Sequence, residues 1–266
     1  MSTAADRSRP HDGSDAFRVW LRDHRGIVAP EPGRRAGPAD EEVRAVLAGE
    51  HPGEEALRRW APALGLHAAD LFVLAGLAVP DDLAPLDAAA ARCVPHLVMD
   101  AAHLPAEGRR QLLSHVRSLP QADRRSPFVP ERAVPLAEGP GGRLIRMCQY
   151  RNLSPTGLAH TLAVLTPTYL SAATYGVIGA GRKELTPRLV TDFAALLGIE
   201  AGELAALTGV VLPAPPRPPA PEAADAAALL WAARRLSAAQ ARHAAEVASS
   251  MRGASRAEYR VNLPGR

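Results

Sequence analysis

The sequence predicts an all-α protein made of two tandem, diverged helical units, the second followed by a long Ala-rich helix. Three observations carry that expectation. Apolar residues make up 47% of the 266 but aromatic residues only 4%. Ala and Leu supply most of the rest, and Ala is the strongest helix former while β-branched strand formers are sparse. Blocks of the first half recur in the second at nearly one spacing, and hydroxyl-Pro pairs that start helices punctuate the second half.

From the N-terminus, residues 1–15 are polar and charged, without the apolar stretch of a signal peptide, and are expected to be disordered. Residues 16–120 form the first helical unit. Within it the stretch from Arg25 to Asp40 carries Pro30, Pro32, Pro38 and three Gly, which is incompatible with a helix. Residues 121–141 read as a linker and 142–212 as the second unit. Residues 213–221 (Pro-Ala-Pro-Pro-Arg-Pro-Pro-Ala-Pro) form a stiff spacer. Residues 222–252 read as one long helix and 253–266 as a frayed basic tail.

The recurrence has three blocks. Trp60-Ala-Pro-Ala-Leu-Gly-Leu through Gly76 parallels Phe193-Ala-Ala-Leu-Leu-Gly-Ile through Gly209, with Gly65 and Gly198 spaced by 133. Val98 to Pro105 parallels Leu230 to Ser237 at 132, and Val19 to Gly26 parallels Ile145 to Asn152 at 126. A preserved order at nearly constant spacing is the mark of duplication.

In the second unit Ser154-Pro155, Thr166-Pro167 and Thr186-Pro187 each place a capping hydroxyl before a residue whose φ is already helical. They predict one helix over Ser154–Leu165 and another over Thr166–Tyr175, the latter stopped by Gly176 as its C′ residue. Leu158, Leu162 and Leu165 share a face of the first, and Leu170 and Ala173 face inward on the second. Two short helices joined by a tight turn make a helix-turn-helix. Val177 to Lys183 then reads as a flexible wing.

Leu144 to Ser154, Gly157-Leu-Ala-His-Thr-Leu, Thr166-Pro-Thr-Tyr-Leu-Ser and the closing Ala194-Ala-Leu-Leu-Gly-Ile199 with Glu203-Leu204 resemble the Xre/Cro-repressor class of five-helix DNA-binding domains over about 70 residues. The resemblance implies a five-helix Xre-type domain with Thr166–Tyr175 as recognition helix, double-stranded DNA as partner, and homodimerisation through Ala223–Met251 on paired half-sites. It implies DNA contacts at Thr156, Pro167, Thr168, Tyr169, Ser171 and Ala172, with Arg151, Arg182, Lys183 and Arg188 on phosphates. Thr174 and Tyr175 are the remaining outward positions. Departures are clear: Pro155-Thr156-Gly157 stands where Gln or Glu is usual, and no outward position can make a bidentate base contact. The cassette is also similar to the oligomerising N-terminal domain of cyanases.

Charge divides the chain. From Phe17 to Ala84 there are 8 Arg against 11 Asp or Glu, whereas Gly142 to Val210 holds 6 basic and 4 acidic residues and Ala226 to Arg266 holds 7 Arg and 2 Glu. An acidic first unit is repelled by DNA and suits a packing or partner surface. Two cysteines, Cys93 and Cys148, make no disulfide framework, and no apolar run is long enough to span a bilayer, so a soluble, cytoplasmic protein is expected.

Other motifs read as structural. Gly176 to Lys183 lacks the strand and the Gly-Lys-Ser/Thr order of a phosphate loop. Cys93, His96 and His103 are too few for a structural zinc. Asp40-Glu41-Glu42, Glu54-Glu55 and Asp81-Asp82 suit helix N-termini, and Trp20, Trp60 and Trp231 suit the core. No catalytic, cofactor or metal site is expected. The resemblance, with the positive charge around the cassette, implies a DNA-binding transcriptional regulator of the Xre-like helix-turn-helix class. The alternative is a protein-interaction or assembly module that keeps the helix-turn-helix fold without reading DNA.

Overall fold

The computed structural model describes residues 13–24, 38–130 and 135–261, and all regular structure among them is helical. Six helices precede the linker: α1 (Gly13–Asp23), α2 (Pro38–Leu47), α3 (Glu54–Ala63), α4 (Ala68–Leu74), α5 (Val94–Ala102) and α6 (Ala106–Ser118). Short 3-10 turns at Asp81–Leu83 and Ala88–Arg92 lead into α5. After it come α7 (Pro140–Gln149), α8 (Pro155–Leu165), α9 (Ala172–Gly179), α10 (Pro187–Leu197), α11 (Ala201–Thr208), α12 (Pro221–Ala233) and α13 (Ala238–Val261).

Element starts repeat at the spacing seen in the sequence. Helices α3 and α10 begin at 54 and 187, and α4 and α11 at 68 and 201, both 133 apart; α6 and α13 begin at 106 and 238, 132 apart. Gly65 and Gly198 end α3 and α10 with φ of +67° and +71°, and Gly76 and Gly209 follow α4 and α11 with φ of +77° and +69°. This left-handed turn is open to glycine at little steric cost, and it lets the next amide reach back to an orphaned helix carbonyl. In the second half the caps at Ser154 and Thr186 form as expected, accepting from the Gly157 and Leu189 amides at 3.2 and 3.3 Å.

Packing is reciprocal between the halves. Helix α1 packs on α2 and α4, and α7 on α9 and α11. Across the molecule α1 meets α11 while α4 meets α7, and α5 meets α13 while α6 meets α12. One hydrophobic core runs through both halves, including Trp20, Trp60, Leu97, Leu112, Met147, Phe193, Leu230 and Ala244. Charged pairs fasten each terminal-helix contact: Arg252 to Asp100 at 2.6 Å across α13 and α5, and Arg109 to Asp225 at 2.6 Å across α6 and α12.

Several expectations are corrected. The 222–252 helix is broken between Ala233 and Ala238. Ser237 and Gln240 form a reciprocal capping box there, with the Ser237 amide donating to Gln240 Oε1 at 3.0 Å and the Gln240 amide to Ser237 Oγ at 3.3 Å. Asp87 Oδ2 also takes the Ala238 amide at 2.8 Å. The expected tail is helical as far as Val261. The inner faces of α12 and α13, with Ala226, Leu229, Leu230, Ala233, Ala241, Ala244 and Ala248, are buried within the chain, which leaves only their outer faces for the expected homodimerisation. Trp20 and Trp60 are core, but Trp231 is only half-buried.

The N-terminal expectation lies outside the described residues up to position 12, and α1 already begins at Gly13. Most of the Pro/Gly-rich stretch, 25–37, also lies outside them, and α2 starts at Pro38. No helix among the described residues is long and apolar enough to cross a membrane.

Candidate nucleic-acid interface

The expected recognition helix is displaced along the chain. Thr166 closes α8 instead of opening a helix: its Oγ1 donates to the Leu162 carbonyl at 2.8 Å and accepts from the Thr168 amide at 3.3 Å. The chain then runs non-helically to Ser171, whose Oγ accepts the Thr174 amide at 3.3 Å and caps α9. The connection is thus a six-residue loop, not a tight turn, and α9 continues through Gly176 to Gly179. Only residues 180–186 remain as a wing, with Gly181 at φ +69°.

The loop is held from α10. Thr168 Oγ1 donates to Asp192 and accepts from Arg188 Nε at 3.0 Å, while Arg188 Nη2 donates to the Pro167 carbonyl at 2.6 Å. Burial raises the Asp192 carboxyl above its ordinary value, against the opposing pull of Thr168 and Arg188. This lock buries Thr168 and presents Tyr169, which is 87% exposed.

Each sequence-predicted contact can now be placed. Thr156, Pro167, Tyr169, Ser171, Arg182, Lys183 and Arg188 are exposed, and Ala172 is half-buried at the first position of α9. Arg188 already uses Nε and Nη2 on the loop. Thr168 is corrected from a base-facing position to a loop lock.

Arg151 is corrected most sharply. It is fully buried and donates from Nη1 and Nη2 to both oxygens of Asp70, each at 2.7 Å, so it joins the halves and cannot meet a phosphate. Burial alone would lower its pKa, but the facing Asp70 carboxylate holds it above the ordinary value.

The change of helix phase also moves two neighbours. Tyr175 turns inward, 1% exposed and edge-on to Phe193 at 6.1 Å, and burial pushes its phenol up to about 12. Ala173 turns outward instead of into the core.

Helix α8 is seated from behind. It packs on α5 of the first half, and Pro95 lies so close to Gly157 that a Cβ there would stand 2.5 Å from its Cγ. The outer face of α8 keeps His160 and Val164 exposed, two surface positions not singled out from the sequence. Helix α9 makes its substantial helix contacts with α7 and α8, and Ala137 of the linker donates to the Gly179 carbonyl at 2.8 Å at its far end. Its outer side, with Ser171, Ala173, Thr174 and Val177, is small and uncharged. The positive charges at its flanks come from Arg182, Lys183 and Arg188, beside the exposed Glu184.

The motifs set aside in the sequence have local partners. His96 and His103 Nδ1 lie 3.2 and 2.7 Å from the carbonyls of Arg92 and Met99. Cys148 is buried, which pushes its thiol up to about 12. No grouping of three potential metal ligands occurs among the described residues.

Compared with known proteins, the chain matches no family model, no curated protein and no solved structure.

Proposed function

We propose that this chain is a DNA-binding regulator of the Xre-like helix-turn-helix class, with α7–α11 as the five-helix cassette and α9 as the helix offered to the major groove. The first half is a diverged copy of the same cassette that has taken the place of a second subunit. The recurrent helix starts, the paired left-handed glycines and the reciprocal packing of α1 with α11 and α4 with α7 support the duplication. The single observation that carries the DNA reading is that α9, about 12 Å long, packs mainly on α7 and α8 and keeps Ser171 and Ala173 exposed, with Thr174 and Val177 half-buried, on its outer side.

Because α9 lacks side chains for bidentate base contacts, affinity rests on phosphates and sequence preference is shallow. With three phosphate contacts, log K against log salt falls with a slope of about −3. Mobility shift of genomic fragments at low salt tests this. Retardation that weakens on R182E/K183E, with the slope reduced by about 2, is expected. The absence of any retarded species at low salt would remove the proposal. Sedimentation of the bound species should give a single chain per bound duplex site, because the second cassette is already within the chain.

A second reading, an assembly module that keeps the fold without reading DNA, is favoured by the uncharged outer side of α9 beside the exposed Tyr169 and Val164. A partner that co-purifies at fixed stoichiometry and is lost on Tyr169→Ala, with no DNA retardation, would favour it.

A further inference from the structure

A cleft of about 530 Å³ opens where the start of the linker crosses the broken joint between α12 and α13. Four arginines line it: Arg117 at the end of α6, Arg124 in the linker, and Arg234 and Arg235 at the joint. None forms an ion pair with a carboxylate among the described residues. The hydrogen bonds of Arg124, Arg234 and Arg235 go to backbone carbonyls, which orient a guanidinium without cancelling its charge. Arg124 donates to the carbonyls of Asp81, Ala84 and Pro85 at 2.7, 3.0 and 2.8 Å. Arg235 Nη2 donates to Leu119 at 3.1 Å, and Arg234 Nη2 to Leu83 at 2.7 Å.

Two carboxylates also line the cleft. Asp82 is already engaged by both terminal nitrogens of Arg58, each at 2.8 Å, and Asp123 is exposed at the rim. The balance is a concentrated positive charge in a concave site.

Arg234 forms the floor. Its residue is only 9% exposed, its guanidinium carbon stands 3.4 Å from the centre of the Trp231 ring, and its Nε and Nη1 have no hydrogen-bond partner. A buried cation with unmatched donors is uncommon in a folded interior and marks a place where counter-charge is missing. Both faces of Trp231 are occupied, one by Arg234 and the other by His67 in a parallel stack at 3.5 Å. No ring face is therefore offered to a nucleobase, and recognition must rest on anionic oxygens.

The geometry points to this cleft as the binding site of a small polyphosphorylated anion, held by Arg117 and Arg235 at the walls over the positive floor of Arg234. The volume suits a small molecule, and the concavity excludes the convex backbone of a duplex. Arginine is the side chain whose planar fork matches phosphate oxygens. The site is separate from α9, so its occupancy does not depend on the DNA reading.

Titration calorimetry of the full chain with inorganic pyrophosphate, at low ionic strength, tests it. Saturable binding tighter than about 1 mM is expected, weakened about tenfold or more in R117Q and again in R235Q. R117Q alters an exposed side chain, so its fold should be intact by circular dichroism. R182E/K183E should bind pyrophosphate like the parent. No saturable heat, equal affinity in R117Q and R235Q, or displacement of pyrophosphate by a DNA duplex would each overturn the proposal.

Discussion

Two acidic residues spaced by 133, Asp70 on α4 and Glu203 on α11, meet a basic partner just beyond α7 and α1 respectively. The two junctions are built differently. Asp70 and Arg151 are sealed, with side chains 1% and 0% exposed and two parallel bonds of 2.7 Å. Glu203 is 39% exposed and receives His24 at 3.0 Å and the Trp20 indole N–H at 2.6 Å. One scaffold position thus carries a dry, permanent ion pair on one side and a wet, mixed polar contact on the other. Burial, not residue type, sets what each is worth: a sealed charge that loses its partner has no water to turn to.

The largest effect is therefore expected at the sealed junction. Arg151→Ala should destabilise the chain by about 3–5 kcal/mol, because the Asp70 carboxylate stays buried and unpaired. Urea unfolding measures this. Replacing both partners with D70L/R151M should recover most of the loss, and a double variant no better than R151A would show that the pair itself, not the orphaned charge, holds the halves together.

Next is an acid sensitivity beside the sealed junction. Burial, with Arg151 and Arg234 nearby, pushes the His67 imidazole down from 6.5 to about 4, against the opposing pull of Asp70. The unfolded chain binds the proton more readily. The contribution is therefore complete above about pH 6.5 and is lost as pH falls towards 4. The group is partly solvated, so the loss is on the order of 1–2 kcal/mol. His67→Phe should flatten the stability profile over that interval, whereas an unchanged slope would place the acid sensitivity elsewhere.

The glycine pair sharpens the comparison by a smaller amount. Gly65 and Gly198 share a left-handed φ, but a Cβ at Gly65 would meet nothing within 4 Å, while one at Gly198 would stand 3.2 Å from the Ala227 Cβ. G65A should cost about 1 kcal/mol from backbone strain alone. G198A should cost more by some tenths, and equal melting shifts would indicate that α12 gives way freely. The smallest effect belongs to His24→Ala, at or below about 1 kcal/mol, because its contact with Glu203 is partly exposed. Chemical denaturation that found H24A as damaging as R151A would break the contrast between the junctions.

Much of the fold was legible wherever the signal was local. Ser154 and Thr186 cap the helices they precede, the recurrence at 133 residues reappears in the helix starts, and Trp20 and Trp60 are core, whereas Gly176 does not stop its helix. The Ser237-x-x-Gln240 capping box was equally local, but it sits within an Ala-rich run whose helix propensity hides a break. The candidate interface was less legible. Thr166-Pro167 has the chemistry of a helix start, yet Thr166 turns back to Leu162, and the loop is fixed by Asp192, 24 residues away. That shift turned Tyr175 inward and Ala173 outward. Arg151 looked like a free cation because its partner lies 81 residues earlier.

The sequence by itself determined the helical class, the spacing of the recurrent elements and the helix starts at Ser154 and Thr186, since propensity and capping act over a few residues. Only the tertiary structure decided which polar groups are dry and which face water. The crossing of α5 with α13 and α6 with α12, the Asp70–Arg151 pair and the cluster of unpaired arginines around Trp231 arise from groups brought together across long stretches of chain. The strength of a charge depends on its surroundings, and those surroundings exist only once the halves have packed.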